Sequence, residues 1–199
     1  MYKRFDCSLN YELENERVML RPLQYSDLNH LLQFSMQEPY LWEYALQCAA
    51  GEGNLKSYIN EAIDNRNKNK EYAFIVFDKI QGEYAGCTRF YDIQVDNETV
   101  QLGYTWYGKK FQGTGINKNC KYLLLEFAFE KWGVKRVEFR ADNNNVKSIA
   151  AMKSIGCQID GILRSNVTKP NNKRIDSIVL SILENEWFDY VKQMLQTKL

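Results

Sequence analysis

A glycine-rich run, Gly108-Lys-Lys-Phe-Gln-Gly-Thr-Gly115, separates a strand-like segment from a long amphipathic segment. If a helix begins there, its first backbone N–H groups are free to bind an anion, and a pyrophosphate is a common guest. Glycines let the backbone approach phosphate oxygens closely and adopt positive φ angles. The run therefore predicts a phosphate-binding loop, and on local evidence a plain strand-to-helix turn is the alternative.

Two well-known phosphate motifs nearly match this run, and both fail. A Walker A loop, G-x-x-x-x-G-K-[ST], requires lysine where Thr114 stands. A Rossmann fingerprint, G-x-G-x-x-G, requires a third glycine where Lys118 stands. A P-loop-like nucleotide binder is therefore disfavoured.

Cysteine chemistry is the second possibility that the residue types raise. The five cysteines are Cys7, Cys48, Cys87, Cys120 and Cys157, and the one histidine is His30. No C-x-x-C pair exists, so the spacing favours no metal site, and no histidine lies near a cysteine in the sequence to activate it as a nucleophile. An odd count without an apolar leader at the N-terminus predicts reduced thiols in a cytoplasmic protein. His30 lies among leucines in the sequence. We interpret it as partly buried or as lying on the side where an acceptor substrate binds, and not as a metal ligand.

Length and composition fit one soluble domain over residues 1–199, with 45% hydrophobic and 26% charged residues. Lys and Arg total 26 and Asp and Glu total 25, so the net charge of +1 disfavours a globally basic nucleic-acid binder. No apolar run reaches the length of about 18 residues that a membrane helix needs. We therefore expect neither a nucleic acid nor a membrane as partner.

Hydrophobic spacing predicts the elements that must position the loop. Strands are predicted over Val18–Arg21, Glu71–Asp78, Tyr84–Ile93, Thr99–Tyr107, Val134–Arg140, Cys157–Arg164 and Ile175–Leu183. Helices are predicted over Asp27–Ser35, Asn54–Asn67, Asn117–Trp132, Asn145–Ile155 and Glu184–Leu199. The last two strands meet across a turn at Lys169–Asn172. This order predicts an α/β (α+β) domain with a single mixed, mostly antiparallel sheet flanked by helices.

Three apolar faces are predicted to form the core. The long helix presents Cys120, Leu123, Leu124, Phe127 and Ala128; the next strand presents Val137 and Phe139; the next helix presents Ile149, Ala150, Met152 and Ile155. These stripes follow the helical and strand periods, so we expect them to face the sheet or its covering layer.

Gln112-Gly-Thr-Gly115 at a helix start resembles the acetyl-CoA loop of the GNAT N-acetyltransferases, [Gln/Arg]-x-x-Gly-x-[Gly/Ala], except that Asn117 replaces the last Gly or Ala. The continuation into a leucine-rich helix is similar to the RimJ/RimL-type branch. So are Arg136–Asp142 followed by Asn145-Val-Lys-Ser148, Lys153–Gly156, Asp160–Arg164, Asp176–Leu183 and Glu186-Trp187. The resemblance covers about residues 12–192.

The resemblance implies a GNAT acetyltransferase fold and acetyl transfer from acetyl-CoA, without a metal. It implies that Gln112, Gly113, Thr114, Gly115, Ile116 and Asn117 hold the pyrophosphate, and that Tyr104, Thr105 and Trp106 lie beside the pantetheine arm. Ordinary sheet packing is the alternative for those three strand residues.

The resemblance also assigns roles to Asn145 and Ser148. Asn145 would hydrogen-bond the cofactor arm, and Ser148 would lie near the sulfur and donate a proton to the departing thiolate. A thiol with a pKa of about 8.5 needs modest help to leave. Helix capping is the alternative for both residues.

The acceptor implied is a primary amine. An α-amine has a pKa of about 7.7–8.0, so it needs no strong base. No base is identifiable: Glu38, Glu43, Asp142 and Tyr104 all qualify. We expect a protein or peptide N-terminus, with a small-molecule amine acetyltransferase or a non-catalytic CoA-binding domain as alternatives. The aromatic-rich stretch at 37–54 is predicted to border the acceptor cleft, with burial as the alternative for its aromatic residues, and a homodimer is left open.

Overall fold

Eight strands form one sheet in the order β1-β2-β3-β4-β5-β6-β8-β7 in the computed structural model, which describes residues 5–169 and 172–199. The strands are β1 (Leu13–Glu14), β2 (Val18–Pro22), β3 (Glu71–Asp78), β4 (Glu83–Gln94), β5 (Thr99–Tyr107), β6 (Arg136–Asp142), β7 (Gln158–Thr168) and β8 (Arg174–Leu183). Only β5 and β6 pair in parallel. The predicted mixed, mostly antiparallel sheet is confirmed. Part of the predicted turn at 169–172, residues 170 and 171, lies outside the described residues.

Six α-helical segments accompany the sheet in the described ranges. They are α1 (Leu28–Gln37), α2 (Glu52–Asn67), α3 (Ile116–Glu126), α4 (Val146–Ser154), α5 (Glu184–Glu186) and α6 (Lys192–Gln196). The two longest predicted helices are not continuous α-helix. A π-helical turn at Phe127–Trp132 continues α3, and another at Trp187–Val191 joins α5 to α6. The two-residue strand β1 has too few residues to show a period, and the sequence did not predict it.

The core lies between the sheet and its helices. Side chains of α3 are buried on almost every side, and Val137 and Phe139 are buried in β6, as predicted. In the C-terminal segment Trp187 is fully buried, stacks on Phe129 and donates its indole N–H to Glu130. The prediction for Ala150 is wrong, because Met152 of α4 and Ile155 just after the helix are buried, whereas Ala150 is exposed.

The prediction for His30 also needs correction. His30 is exposed and lies against the Tyr84 ring, with centroids 4.2 Å apart, so it is not partly buried. Trp42 is buried against Trp106 at 4.9 Å and belongs to the core, whereas its neighbour Tyr44 is exposed. No helix in the described ranges has both the length and the apolar character that crossing a membrane requires.

Candidate active site

The glycine-rich loop is held in place by its own side chains. Phe111 is fully buried and packs edge-on against Phe34 of α1. Gly108 passes so close to that Phe34 ring that any side chain there would collide with it. Gln112 donates to the Tyr107 carbonyl at 2.9 Å, and Thr114 donates to the Phe111 carbonyl at 2.7 Å. These contacts fix the loop at the start of α3, so the side chains of Gln112 and Thr114 serve the loop itself.

Free amide groups make this loop an anion site. Gly113 and Gly115 adopt φ angles of 75° and 89°, and Gly115 is the left-handed N-cap of α3. No hydrogen bond of the described chain uses the amide N–H groups of residues 113–117, whereas Lys118 and Asn119 donate to the Gly115 carbonyl. The amides therefore remain available at the positive end of the α3 dipole. Ile116 is buried, so only its amide can contact a ligand.

An opening between β5 and β6 leads away from the loop. The two strands pair only at Thr99–Gln101 with Arg136–Glu138. Beyond those three pairs, β5 remains hydrogen-bonded to β4 and β6 remains hydrogen-bonded to β8. The edges that β5 and β6 turn toward each other are therefore unpaired in the described residues. Unpaired strand edges offer N–H and C=O groups to an extended amide-containing chain. The opening therefore suits an extended ligand that carries amide groups.

A bulge in β5 sits at the centre of this opening. The β4–β5 register shifts between Cys87 and Arg89, and Tyr104 has a φ of 48°. Such a conformation is uncommon for an aromatic residue and re-aims the neighbouring backbone groups. Thr105 hydrogen-bonds Thr88 at 2.8 Å on the face toward α3. Tyr104 lies 4.2 Å from the Arg89 guanidinium on the opposite face, toward α2.

Trp106 lies in the core through its side chain. Its indole N–H donates to Tyr58 at 3.3 Å, and the ring is 8% exposed. Of the three strand residues predicted to contact the arm, Trp106 can therefore contribute only its backbone. The half-buried side chains of Tyr104 and Thr105 line the opening.

Asn145 caps α4, and the cap leaves the Ser148 hydroxyl unused. The Asn145 Oδ1 accepts the backbone N–H of Ser148 at 3.0 Å. The Ser148 side chain is half-buried, and its hydroxyl makes no hydrogen bond among the described residues. The predicted cap is therefore present, and it works through the Ser148 backbone and not its hydroxyl. The amide nitrogen of Asn145 and the Ser148 hydroxyl both remain available to a ligand.

The proposed bases differ in how far they are engaged. Glu38 accepts from the Lys109 amide at 2.8 Å and from the Tyr40 hydroxyl. The pKa of Asp142 is lowered. Burial acts to raise this pKa, but hydrogen bonds from Asn144 and the ion pair with Lys169 at 3.3 Å outweigh burial.

The other two candidate bases, Tyr104 and Glu43, are no better suited to accept a proton from the amine. Burial raises the pKa of Tyr104, which makes it a proton holder at neutral pH. Glu43 is exposed to solvent. No one of the four therefore stands out as a tuned base.

The thiols near the site are poor nucleophiles. Burial raises the pKa of Cys120 to about 12 and also raises that of Cys87 and Cys157. A thiolate is the reactive form, so such thiols are inert at neutral pH. No group of three or more His, Cys, Asp or Glu in the described ranges is placed to hold a metal ion.

We expect alanine at Cys87, Cys120 or Cys157 to leave turnover within a few-fold of wild type, because transfer needs no thiolate of the protein. Each buried substitution should lower Tm, since it leaves a small cavity. Steady-state kinetics at a temperature well below each variant's Tm provide the check. Complete loss of turnover in one well-folded variant would establish a covalent acetyl-cysteine.

Comparison with known proteins decides the family. The sequence profile described as "Acetyltransferase (GNAT) domain" matches residues 17–158, most of the chain and all of the loop, opening and α4. The protein is a GNAT acetyltransferase. The predicted fold is confirmed, as is acetyl-CoA-dependent acetyltransferase activity as the class of reaction. The RimJ/RimL-type branch remains a prediction.

Individual relatives agree with this assignment. The chain is 26% identical to "Putative ribosomal N-acetyltransferase YdaF" of Bacillus subtilis over 188 residues, covering 92% of this chain and 97% of the relative. A GCN5-related N-acetyltransferase from Brucella melitensis shares the fold with a TM-score of 0.86 and 22% identity, covering 94% of this chain and 84% of that one. The Microcin C7 self immunity acetyltransferase MccE, solved with acetyl-CoA and AMP, has a TM-score of 0.75 and 22% identity over 85% of this chain and 93% of its own.

Two buried cations beside the β5 bulge escaped the sequence analysis. Lys121 of α3 is 5% exposed and Arg89 of β4 is 1% exposed. Arg89 pairs with Glu71 at 2.7 Å, while its Nε and Nη2 have no hydrogen-bond partner in the part of the chain that the structure describes. A signal for Lys121 existed: Cys120, Tyr122, Leu124 and Leu125 lie beside it or one turn later, and a helical segment that is apolar on most sides is buried.

Proposed function

We propose that this GNAT acetyltransferase transfers the acetyl group to the N-terminal amine of a protein or peptide. The neutral amine would attack the thioester carbonyl directly while the loop amides and the β5 edge hold acetyl-CoA. Gln112 and Thr114 fix the loop, residues 113–117 supply its amides, and Asn145 and Ser148 lie at the start of α4. The acceptor would approach from the α2 face, where Tyr104 meets Arg89.

The engagement of the candidate bases carries this proposal. Glu38 and Asp142 already accept hydrogen bonds, and Tyr104 holds its proton, so the site offers little help in deprotonating an amine. At pH 7 about 14% of an α-amine is neutral, against about 0.04% of a lysine side chain. An N-terminus therefore presents several hundred times more reactive amine. The name of the Bacillus subtilis relative, a ribosomal N-acetyltransferase, points in the same direction.

Peptide acceptors of matched sequence test the proposal. Each peptide carries one lysine and has a free or a blocked N-terminus, and mass spectrometry locates the acetyl group after incubation with acetyl-CoA. We expect acetylation at the free N-terminus and little at lysine in either peptide.

Two results would contradict an N-terminal acceptor. Faster acetylation of lysine in the blocked peptides would identify a lysine acetyltransferase. Thiol release with small amines but with no peptide would identify a small-molecule enzyme.

A further inference from the structure

Lys121 lies beneath the opening between β5 and β6. Its Nζ donates to Thr105 of β5 at 2.7 Å and to Thr88 of β4 at 3.2 Å. The same Nζ stands 5.9 Å from the ring of Phe139, which belongs to β6. The ammonium thus touches the β5 side of the opening and reaches toward the β6 side, next to the bulge where the strand edges are free.

No carboxylate among the described residues pairs with this charge. None of the ion pairs in the described ranges includes Lys121. The charged or titratable groups that face it are the thiols of Cys120 and Cys157, which are neutral because their pKa values are raised. Burial lowers the pKa of Lys121 to about 8, so the ammonium still predominates at neutral pH.

A buried ammonium without a counter-ion destabilises a fold, and two hydroxyl groups offset that cost only in part. Such groups concentrate where a reaction creates the opposite charge. Here the reaction does so. As the amine nitrogen bonds to the carbonyl carbon, the C–S bond breaks and its electron pair leaves with sulfur as the CoA thiolate. The amine gives up its proton to solvent or to a base.

We propose that the Lys121 ammonium stabilises the negative charge that passes to the CoA sulfur during transfer. The inference rests on the proposed path of the cofactor arm between β5 and β6, and not on the identity of the acceptor. Lys121 keeps its proton throughout and acts by charge. A thiolate is stabilised by a neighbouring lysine, so the thiol of bound CoA should have a lowered pKa in this protein.

The deciding experiment compares wild type with Lys121→Met and with Lys131→Met, a control that removes an exposed lysine from the turn following α3. The thiol pKa of bound CoA is read from thiolate absorbance, with the complex of desulfo-CoA subtracted to remove the protein's own thiols. We expect a pKa below the value of about 8.5 for a free thiol in wild type and in Lys131→Met. In Lys121→Met we expect it to rise by at least about one unit.

Turnover and thermal stability distinguish this role from a purely structural one, because loss of a structural lysine would lower Tm without a selective loss of kcat. We expect Lys121→Met to lower kcat about 100-fold, the scale of losing one stabilising donor, with little change in the KM for acetyl-CoA. Because the ammonium is present below pH 8 and lost above it, the ratio of wild-type to variant kcat should fall as pH rises through about 8. Tm should stay the same or rise, since a buried charge has been removed.

Two results would overturn the inference. One is an unchanged thiol pKa in Lys121→Met. The other is a lowered Tm in that variant together with an unchanged kcat. The first result does not depend on the acceptor: if peptide N-termini proved not to be substrates, the thiol pKa of bound CoA would still decide the role of Lys121.

Discussion

Replacement of Gly115 by valine is expected to remove the rise in Tm that CoA gives the wild-type protein. Gly115 has a φ of 89°, which a β-branched residue adopts only with strain of about 1–3 kcal/mol. A Cβ there would meet no atom within 4 Å, so the substitution adds its Cβ without a clash. What it disturbs is the direction of the adjacent amides and the space through which phosphate oxygens approach them.

The expected loss can be given a size. Each hydrogen bond to a charged group contributes about 1.5–3 kcal/mol, so losing one or two weakens binding by about 10-fold to about 20,000-fold. CoA at 100 times its Kd stabilises the wild type by about 2.7 kcal/mol. A 100-fold loss would reduce that to about 0.4 kcal/mol, close to the limit of a thermal-shift measurement.

Gly51→Val is the matched control. Gly51 has a φ of 83°, nothing within 4 Å of an added Cβ, and a position at the start of α2, away from the loop. It should lose intrinsic stability like Gly115→Val and keep the CoA shift. If Gly115→Val does not fold, Gly115→Ala replaces it, and we expect a smaller reduction of the CoA-induced rise in Tm. A full CoA shift in a folded Gly115→Val protein would contradict the assignment of this loop to the phosphates.

The loop was predictable because its signal is local. Glycine spacing, a preceding strand and a following amphipathic stripe all lie within about two dozen residues, and the free amides follow from helix geometry. The same holds for Asn145, a good N-cap type immediately before an apolar stripe. The alternation of strands and helices likewise predicts a mixed sheet, because connection lengths restrict which strands can be neighbours.

The opening between β5 and β6 was not predictable in this way. It depends on parallel pairing that stops after Gln101. The register between two strands separated by α3 cannot be read from the sequence of either strand. The bulge at Tyr104 has no local signal either, because aromatic residues are poor predictors of positive φ. Trp42 shows the converse: an aromatic residue in a segment without clear periodicity suggests a cleft by its type, but tertiary packing buries it against Trp106 of β5.

Ser148→Ala is expected to lower kcat by about 100-fold, the lower end of the range for general acid catalysis, because a thiolate is a good leaving group. The structure makes this substitution informative. The α4 cap uses the backbone N–H of Ser148, which alanine retains, so the helix start should persist and CoA binding should change little. A hydroxyl that is half-buried and makes no hydrogen bond among the described residues is free to act on the sulfur.

Ser154→Ala is the control, because it makes the same substitution at the other end of α4, where the hydroxyl donates to the Ala151 carbonyl at 2.7 Å. It should leave kcat unchanged. Pre-steady-state measurement of thiol release separates the chemical step from product release. A loss confined to that step would identify Ser148 as the group that passes a proton to the departing sulfur, its hydroxyl being restored by the proton that the amine releases. Equal chemical rates in wild type and Ser148→Ala would reduce the residue to a helical position without a role in transfer, and would leave the stabilisation of the thiolate to Lys121.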